Sequence, residues 1–432
     1  MVSTHHRLSE SLPLVATLCF LLSISTVTHA GDLWTSYRGP TDQGHSDTIG
    51  LPLQWSETDN VVWKTEIPGK AWSSPVVWKD RIWLTNATED GTQLSALCVN
   101  RESGKILIRK RLRSLAAPQY CHPFNSYASP SPVLEEGRVY VTFGSPFVGC
   151  LDSESGDVIW QRTDFVCNHF RGPGSSPFLY NNLLILHFDG SDHQFVVAMD
   201  KNTGETVWKT KRSVDFQDHD PETGGPRREG DLRKAFSTPL IADVDGKQLL
   251  ISLGSMALYA YDPDSGEEVW RVEKPGCHSG SGRPVLGHGL VYAPMGTGRE
   301  LWAVRPDGKG CVTDSHVKWI YDRAVPHRSS PILIGEHIFL VDDNGVAACI
   351  DAKNGDEIWR KRIGGNFSAS PLHVEDRIYF FDESGKSTII AASPEYKVLA
   401  VNELADGFMG SPAVSGKSLI LRTKTALYRI EE

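Results

Sequence analysis

Histidines, arginines and carboxylates recur in the polar stretches that separate the apolar runs of this 432-residue sequence. These side chains act as general acids and bases, bind anions and ligate metals. Gathered around one axis they would form a small-molecule or metal site, whereas spread over loops they would form a solvated rim. Both interpretations stay open for the following residues: His122, His169, Arg171, Asp189, Asp192, His278, Arg283, Arg299, His327, Arg328, Asp342 and Asp382.

An eleven-residue frame recurs along the chain and identifies the elements that must position these side chains. Two copies, Ala198–Trp208 and Ala260–Trp270, each have aspartate third, glycine seventh and tryptophan last. Further copies begin at Cys150 and Cys349, and a copy that begins at Cys98 lacks the tryptophan. A glycine allows the positive φ that a tight hairpin turn needs, so the frame predicts two strands joined by such a turn.

A second mark, a polar residue followed by proline, opens each repeating unit. Proline lacks an amide donor and belongs at the start of a strand. Each mark is followed by two further apolar runs, so every unit has four predicted strands, and the marks lie 40 to 62 residues apart, the size of a propeller blade. The eight marks are Ser74-Pro75, Ser131-Pro132, Ser176-Pro177, Thr238-Pro239, Arg283-Pro284, Ser330-Pro331, Ser370-Pro371 and Ser411-Pro412.

The last unit ends after three strands, and a strand near the N-terminus supplies the fourth. No glycine turn or tryptophan strand follows Leu427–Ile430, while an apolar strand around Trp63 precedes the first complete unit. Pairing these two segments closes a ring and removes the open edges of a linear array. The sequence therefore predicts an all-β, eight-bladed β-propeller over residues 60–432, rather than a solenoid, after an N-terminal extension over residues 31–59.

Alternating strand direction places the candidate residues on one face of this propeller. Loops that enter a first strand share a face with loops that join the second and third strands, and the candidates lie in these two kinds of loop. The Thr-Gly turns lie on the opposite face. An insertion, residues 213–234, enters the fourth blade on the candidate face as a lid or docking loop, although its charged, Gly- and Pro-rich composition favours a mobile surface loop.

The Ala-x-Asp-x-x-Thr-Gly-x-x-x-Trp frame resembles the tryptophan-docking motif of pyrroloquinoline quinone (PQQ) propellers. The chain is similar to exported proteins with PQQ-binding-like repeats over nearly all of its length after residue 30. The frame loosens in the fifth unit, at 303–308, and in the seventh, at 389–399, where we expect weaker docking. The resemblance implies that the following residues pack between neighbouring blades: Trp63, Trp160, Trp208, Trp270, Trp319 and Trp359.

We favour a binding or scaffold function on the candidate face, with a protein partner or a small molecule such as a sugar. One alternative, implied by the resemblance, is a PQQ- and calcium-dependent alcohol or sugar dehydrogenase with Asp342 or Asp382 as base and Asn366 as a further calcium ligand. Trp72 or Phe236 would then provide an aromatic floor, or else pack between blades. A second alternative is a scaffold in outer-membrane assembly. Whether the protein is an enzyme stays open.

The adjacent cysteine pair of quinoprotein alcohol dehydrogenases is absent from this sequence, so no cofactor is expected and no metal ligand is assigned. Cys98, Cys150 and Cys349 occupy the alanine position of the frame and are predicted to be small core residues. Cys121 and Cys167 precede first strands of adjacent blades. In an oxidising compartment, a disulfide between them is favoured over a metal cluster.

The first thirty residues are predicted to be a secretory signal. His5 to Arg7 precede an apolar run from Leu12 to Ile24, which is shorter than the roughly 20 residues that span a bilayer, and a small-x-small site ends at Ala30. We therefore expect a periplasmic or extracellular protein with no integral membrane contact, and a monomer. The net charge of −9 without a basic tract argues against nucleic-acid binding.

Overall fold

A closed ring of eight antiparallel sheets forms the architecture in the computed structural model, which describes residues 1–3 and 33–432. The all-β, eight-bladed propeller predicted from the repeats is therefore confirmed. The predicted signal peptide falls almost wholly on residues 4–32, outside the described residues. Among the residues that are described, no helix is long and apolar enough to cross a membrane.

Each blade has four strands, numbered here from the axis outward. Blades 1 to 4 contain Val76–Trp78, Arg81–Ala87, Gln93–Asn100 and Ile106–Ser114; Val133–Glu135, Arg138–Thr142, Val148–Asp152 and Val158–Arg162; Phe178–Tyr180, Leu183–Asp189, Gln194–Asp200 and Thr206–Lys211; and Leu240–Val244, Lys247–Leu253, Ala257–Tyr261 and Glu268–Glu273.

Blades 5 to 8 repeat this arrangement, and the eighth takes its outermost strand from the N-terminal side of the chain. They contain Val285–Gly287, Leu290–Pro294, Leu301–Val304 and Val317–Tyr321; Ile332–Ile334, His337–Val341, Val346–Asp351 and Glu357–Arg362; Leu372–Val374, Arg377–Phe381, Lys386–Ala391 and Val398–Glu403; and Ala413–Ser415, Ser418–Arg422, Ala426–Ile430 and Val61–Glu66.

Short elements complete the described fold. Three two-residue strands extend blades 1, 7 and 4, and the helices are two 3₁₀ segments and one α-helical turn. In chain order these elements are Leu33–Trp34, His45–Ser46, Arg227–Arg233 (3₁₀), Gly296–Gly298 (3₁₀), Gly310–Cys311 and Thr313–His316 (α).

The core lies between the blades. Second and third strands are covered on both sides by neighbouring blades, so they are continuous buried runs such as Leu183–Asp189. Fourth strands alternate between half-buried and exposed residues, as Ile106–Ser114 does, because only one side packs inward. Cys98, Cys150 and Cys349 are fully buried, as predicted.

The predicted ring closure is also confirmed. Val61–Glu66 pairs antiparallel with Ala426–Ile430, with Val61 opposite Ile430 and Glu66 opposite Ala426. Blade 8 thus combines one strand from the N-terminal part of the sequence with three from the C-terminal part. Unfolding this blade requires breaking contacts between segments more than 350 residues apart.

Tryptophans of the fourth strand pack onto the next blade in six of the eight blades, whereas in blade 1 Ile108 takes this place against Gly156. The indole nitrogens of Trp63, Trp160, Trp208 and Trp270 each donate to a backbone carbonyl in the adjacent blade's turn, at 2.7 to 3.0 Å. The turn glycine is required for close approach as well as for its backbone. At Gly266, where φ is +73°, an added Cβ would lie 2.5 Å from the Trp208 ring.

Docking differs at the two places where the frame loosens. In blade 5, the segment after the third strand adds the strand Gly310–Cys311 to the edge of blade 4, and Trp270 still donates to Pro306. In blade 7, Trp359 packs edge-on against Tyr396 at 5.0 Å, and its indole nitrogen has no partner among the described residues. The indole nitrogen of Trp319, which packs on the regular turn at Gly355, also has no partner among the described residues, so weaker docking at the fifth and seventh units stays a prediction.

Residues 33–46 enter the central channel from the face that carries the Thr-Gly turns. Leu33–Trp34 pairs with the far end of the first strand of blade 1, and His45–Ser46 runs back down along the first strand of blade 7. Between them the chain contacts blades 2, 5 and 6. From the repeats, this stretch was expected only to be part of an N-terminal extension. In the structure it closes one end of the channel.

Candidate functional site

A ring of side-chain hydroxyls surrounds the axis where the eight first strands begin. Each polar residue before a strand-opening proline donates its backbone N–H to the hydroxyl of the next blade's counterpart, as Ser131 does to Ser176 at 2.9 Å. Seven such bonds connect the blades, including the one from Ser411 to Ser74 across the seam, all at 2.8 to 3.0 Å. The ring is interrupted after Thr238, because the next position is Arg283.

A funnel of about 490 Å³ lies inside this ring and opens on the face predicted to carry the site. Tyr37, from the segment that closes the channel, forms part of its lining, and its hydroxyl lies 3.4 Å from that of Ser330. Trp72, Phe124 and Phe236 line the funnel walls. The funnel is therefore a cup with aromatic walls, open at one end only.

One side of the cup, contributed by blades 3 and 4, carries excess positive charge. Asp231 pairs with Lys234 and, at 3.3 Å, with Arg171. Burial alone would raise the pKa of the Asp231 carboxyl, but hydrogen bonds from these two cations hold it below its ordinary value. One carboxylate thus serves two cations. Arg171 donates to Asp231 through Nε and Nη2 at 3.3 and 3.5 Å, and its Nη1 has no partner among the described residues.

The opposite side of the cup has a nearly closed charge network. Arg328 lies 2.7 Å from Glu383 and 3.2 Å from Asp343, and its guanidinium stacks over Phe124 at 4.6 Å. His327 donates its backbone N–H to Asp343 at 3.1 Å. Both carboxylates are therefore engaged, and neither is free to act as a general base.

Two histidines between these sides are neutral at physiological pH. Burial, followed by the nearby charge of Lys234, lowers the pKa of His278 to about 4. Burial likewise lowers the pKa of His327, against the opposing effect of Asp343. His278 contacts the Ser279 hydroxyl through Nδ1 at 2.7 Å, so its Nε2 is free within the described residues.

Two buried guanidiniums lie beneath the floor of the cup and share one carboxylate. Arg283 is 1% exposed and donates to Asp42 at 2.8 Å and to the Pro239 carbonyl. Arg38, also 1% exposed, donates to three backbone carbonyls, those of Gln43, Pro331 and Pro371. Burial lowers the pKa of Arg38 to about 10, which leaves it charged at neutral pH.

Five of the twelve candidate residues line the cup together: His122, Arg171, His278, His327 and Arg328. Arg283 lies just behind the lining, where it holds the segment that closes the channel. The structure thus places these six residues around one axis. Trp72 and Phe236, considered as an aromatic floor, both line the cup.

Three other candidates are buried structural residues rather than ligand-facing ones. Asp189 forms an ion pair with Arg212 in which both side chains are 1% exposed. His169 accepts the backbone N–H of Ser145 at 2.9 Å. Asp382, 2% exposed, accepts four hydrogen bonds within its own turn, from Ser384 to Lys386.

The remaining candidates lie in loops outside the cup. Asp342 caps a turn by accepting the N–H groups of Asn344 and Val346. Asp192 is exposed and accepts the backbone N–H of Asn168 at 2.7 Å, and Arg299 is exposed in a short loop. These residues form the solvated rim that was the alternative interpretation.

The disulfide predicted between Cys121 and Cys167 is not formed, because the two thiols have different neighbours. Cys121 Sγ lies 3.8 Å from the carbonyl of Arg171, whereas Cys167 Sγ lies 3.7 Å from that of His193. Burial raises the pKa of the Cys121 thiol to about 11 and that of Cys167 well above its ordinary value, so both are protonated at neutral pH.

The insertion at 213–234 is folded against the propeller and supplies Asp231 and Lys234 to the cup. Its own ion pair between Arg233 and Asp218, 2.6 Å, and the packing of Gly230 on Ser191 hold it in place. The insertion was predicted as a lid or docking loop, but Asp231 and Lys234 were not among the candidate site residues. Their only sequence signal was opposite charge three residues apart.

The donor set that the resemblance implies for a calcium-held quinone is not assembled here. Asp342 and Asp382 are bound within turns, Asn366 is exposed, and none of the three lines the cup. Within residues 1–3 and 33–432, no group of three or more His, Cys, Asp or Glu side chains is arranged to hold a metal ion.

Comparison with known proteins identifies relatives of two kinds. The chain is 28% identical over 209 residues to the quinoprotein ethanol dehydrogenase of Pseudomonas aeruginosa, covering 46% of this chain and 30% of that protein. It is 25% identical over 252 residues to the outer membrane protein assembly factor BamB of Moranella endobia, covering 57% and 58%. The chain thus spans less than two thirds of the length of either relative.

Two solved structures share the fold. BamB from Moraxella catarrhalis superposes with a TM-score of 0.59 at 12% identity, over 86% of this chain and 97% of that one. A europium-containing methanol dehydrogenase superposes with a TM-score of 0.65 at 11% identity, over 93% and 91%. At these identities the likeness concerns the fold alone.

A family model described as "Outer membrane protein assembly factor BamB" matches residues 53–163, 97–270 and 192–431, which together span most of the chain. The predicted resemblance to proteins with PQQ-type repeats is therefore confirmed. With its eight blades, six of which carry a docking tryptophan, the chain belongs to this β-propeller family, that of outer membrane protein assembly factor BamB and its PQQ-type repeats.

Proposed function

We propose that this protein is an exported binding protein that holds a small, ring-shaped polar molecule, such as a sugar, in the axial cup. The observation that carries the proposal is the blind funnel of about 490 Å³. That volume is within the roughly 300–1,000 Å³ of small-molecule sites. Because the Tyr37 segment closes the other end, a ligand enters and leaves by one face.

The lining suits a ring with an apolar face and a polar edge. Trp72 and Phe236 offer flat surfaces on which a ring can stack. Hydroxyls of the axial ring, together with Arg171 and the free Nε2 of His278, offer hydrogen bonds to its edge. Similar combinations of aromatic walls and few convergent polar groups are typical of ligand pockets.

Catalysis by a quinoprotein mechanism has less support from the site. Asp231 and Asp343, the carboxylates that line the cup, are both held by cations, and the calcium ligands considered above lie elsewhere. Binding without chemistry requires neither a free base nor a metal. We therefore favour a binding function over an alcohol or sugar dehydrogenase.

A second candidate is a scaffold that docks a protein on the same face. Two large apolar side chains support it, since Tyr120 is 63% and Val166 is 65% exposed on loops of the open face. Exposed apolar groups of this kind favour protein contact. The relatives named as outer membrane assembly factors agree with an exported location for either function.

The test is calorimetric titration of the exported protein with a panel of mono- and disaccharides, and with PQQ plus calcium. We expect at least one sugar to bind, and Trp72→Ala to weaken it about ten-fold, equivalent to about 1.4 kcal/mol, by removing a stacking surface. Tyr120→Ala, on the same face but outside the cup, is the matched control and should bind normally.

Three outcomes would count against the sugar-binding proposal. Absence of binding by any sugar at about 10 mM, a concentration far above most functional dissociation constants, would remove it. Equal loss in the two variants would place the ligand outside the cup. Binding of PQQ with calcium, but of no sugar, would favour the dehydrogenase instead.

A further inference from the structure

The axial ring presents hydroxyl protons that have no acceptor. Each hydroxyl oxygen accepts a backbone N–H from the preceding blade, so its own proton must point elsewhere. At Ser330 and Ser370, other hydroxyls lie within reach. For five members of the ring, none donates to an acceptor within the described part of the chain: Ser74, Ser131, Ser176, Thr238 and Ser411.

These five hydroxyls are buried yet face the cup. Their residues are between 3% and 6% exposed, and all five line the funnel. A buried donor without an acceptor costs free energy unless water or a ligand satisfies it. A ligand rich in acceptors therefore gains more here than one that offers donors.

Charge near the axis favours the same kind of ligand. Under the floor, Arg283 pairs with Asp42 while Arg38 bonds only backbone carbonyls among the described residues, and in the wall Arg171 and Lys234 share Asp231. On the other side, Asp343 and Glu383 together balance Arg328. Cations thus outnumber carboxylates at the entries to blades 3, 4 and 5, in a protein whose net charge is −9.

A further buried cation lies behind the wall next to Trp72. Arg422 is 3% exposed and, within the described part of the chain, donates only to the Ser73 carbonyl, the Ser73 hydroxyl and the Thr85 carbonyl and has no carboxylate partner. Burial lowers the pKa of Arg422 to about 9, so it carries its charge at neutral pH. In the low-dielectric surroundings of the cup, such charges act over longer distances than in water.

We propose that the ligand of the cup is a ring-bearing oxyanion, a carboxylate or phosphate ester, whose oxygens accept from the Ser131, Ser176 and Thr238 hydroxyls and from Arg171. This inference rests on the proposed binding function and deepens it by naming the chemical class. Anions satisfy the unpaired donors with charge-assisted hydrogen bonds, which are about twice as strong as neutral ones. Neutral sugars satisfy the same donors less well.

His278 agrees with this assignment. Its neighbours on the facing loops are Lys234, Asp231, His327 and Arg171, and their combined charge is positive. An anion placed among them would favour the protonated imidazole. The complex is then expected to take up a proton as it forms, which calorimetry in buffers of different ionisation enthalpy detects.

The experiment compares three probes that share one ring: glucose, glucuronate and glucose 6-phosphate. We expect at least one of the two anions to bind ten-fold or more tightly than glucose, and its affinity to fall as salt is added. Comparing glucuronate with glucose 6-phosphate shows whether the cup prefers a carboxylate or a phosphate ester. If glucose binds as tightly as both anions, the inference is overturned while the binding function stands.

Variants locate the anion within the cup. Thr238→Val keeps the shape of the side chain but removes the hydroxyl, and should reduce the preference for the anion about ten-fold. Thr142→Val is the matched control, because this buried threonine donates to the Phe147 carbonyl away from the cup. Arg171→Gln tests the same preference for the anion. Because this side chain is partly exposed, its replacement should disturb the packing of the protein little.

The outcomes separate the two proposals. In both Thr238→Val and Arg171→Gln, an affinity for the anion that falls at least ten-fold more than the affinity for glucose supports the oxyanion site, and the melting temperature of Arg171→Gln should stay unchanged. Unchanged preference in both variants overturns it. If none of the three probes and no other sugar binds, the proposed binding function itself fails.

Discussion

Burial determines what each polar residue of this propeller does. His169 and His278 are both histidines in loops before first strands, yet one is enclosed by backbone donors and the other opens onto the cup. The residue types alone predicted both as ligand-facing. Asp189 shows the same difference, because its partner Arg212 directly follows the fourth strand of the blade and no local pattern connects the two.

The enclosed histidine makes folding stability sensitive to acid. Burial lowers the pKa of His169 to about 4 in the folded protein, against an ordinary value of 6.5. Below pH 6.5 the unfolded chain binds a proton that the folded chain refuses, so stability falls as pH drops from 6.5 to 4. For His169 alone this amounts to about 3 kcal/mol.

His169→Gln should therefore lose less stability on acidification than the wild type. The glutamine carbonyl can still accept the Ser145 N–H, but it does not titrate. Urea unfolding at pH 7 and pH 4 measures the difference, with exposed His219→Gln as the control. An identical pH dependence in His169→Gln and wild type would contradict this explanation.

At the scale of elements, the glycine turn and the docking tryptophan act as one unit. The sequence predicted strands, turns and blade count because each depends on residues within about ten positions of one another. The hydroxyl ring was not predicted from the same Ser-Pro marks. Proline explained the strand start, but the role of the preceding hydroxyl appears only when a blade 40 to 60 residues away is placed beside it.

Two glycines separate backbone strain from docking. Gly246 and Gly266 both have positive φ, +80° and +73°, but an added Cβ meets nothing within 4 Å at Gly246 and the Trp208 ring at Gly266. We expect Gly246→Ala to cost about 1 kcal/mol and Gly266→Ala about 3 kcal/mol, because the second also forces the ring aside. Chemical denaturation measures both, and equal costs would show that the tryptophan gives way freely.

At the scale of the whole molecule, the ring and the segment inside it are distinct parts. The sequence predicted the ring and its closure at Trp63, since both follow from the repeat. It did not place residues 33–46, which belong to no repeat and bind five different blades. The Tyr37 contribution to the cup was missed for the same reason.

Asp42 is the charged anchor of that segment. Asp42→Asn leaves the buried Arg283 without its carboxylate, and we expect the segment to be destabilised by about 2 kcal/mol, at the lower end for a partly buried pair because Asp42 is half-exposed. Hydrogen exchange of residues 33–46 should then rise about 30-fold, while exchange in the outer strands is unchanged. Asp47→Asn, on an exposed side chain, should change neither, and a uniform rise in Asp42→Asn would instead indicate that the whole ring was weakened.

The channel segment also determines when the cup can exist. Residues 33–46 enter and leave by the same face, since Leu33 and Ser46 both lie at the far ends of first strands. No blade has to open to admit them, so the ring can close first as a tube that passes solvent from face to face. Insertion of the segment then closes one end of this open tube and leaves a cup. The topology thus allows the site to be completed after the propeller that surrounds it has folded.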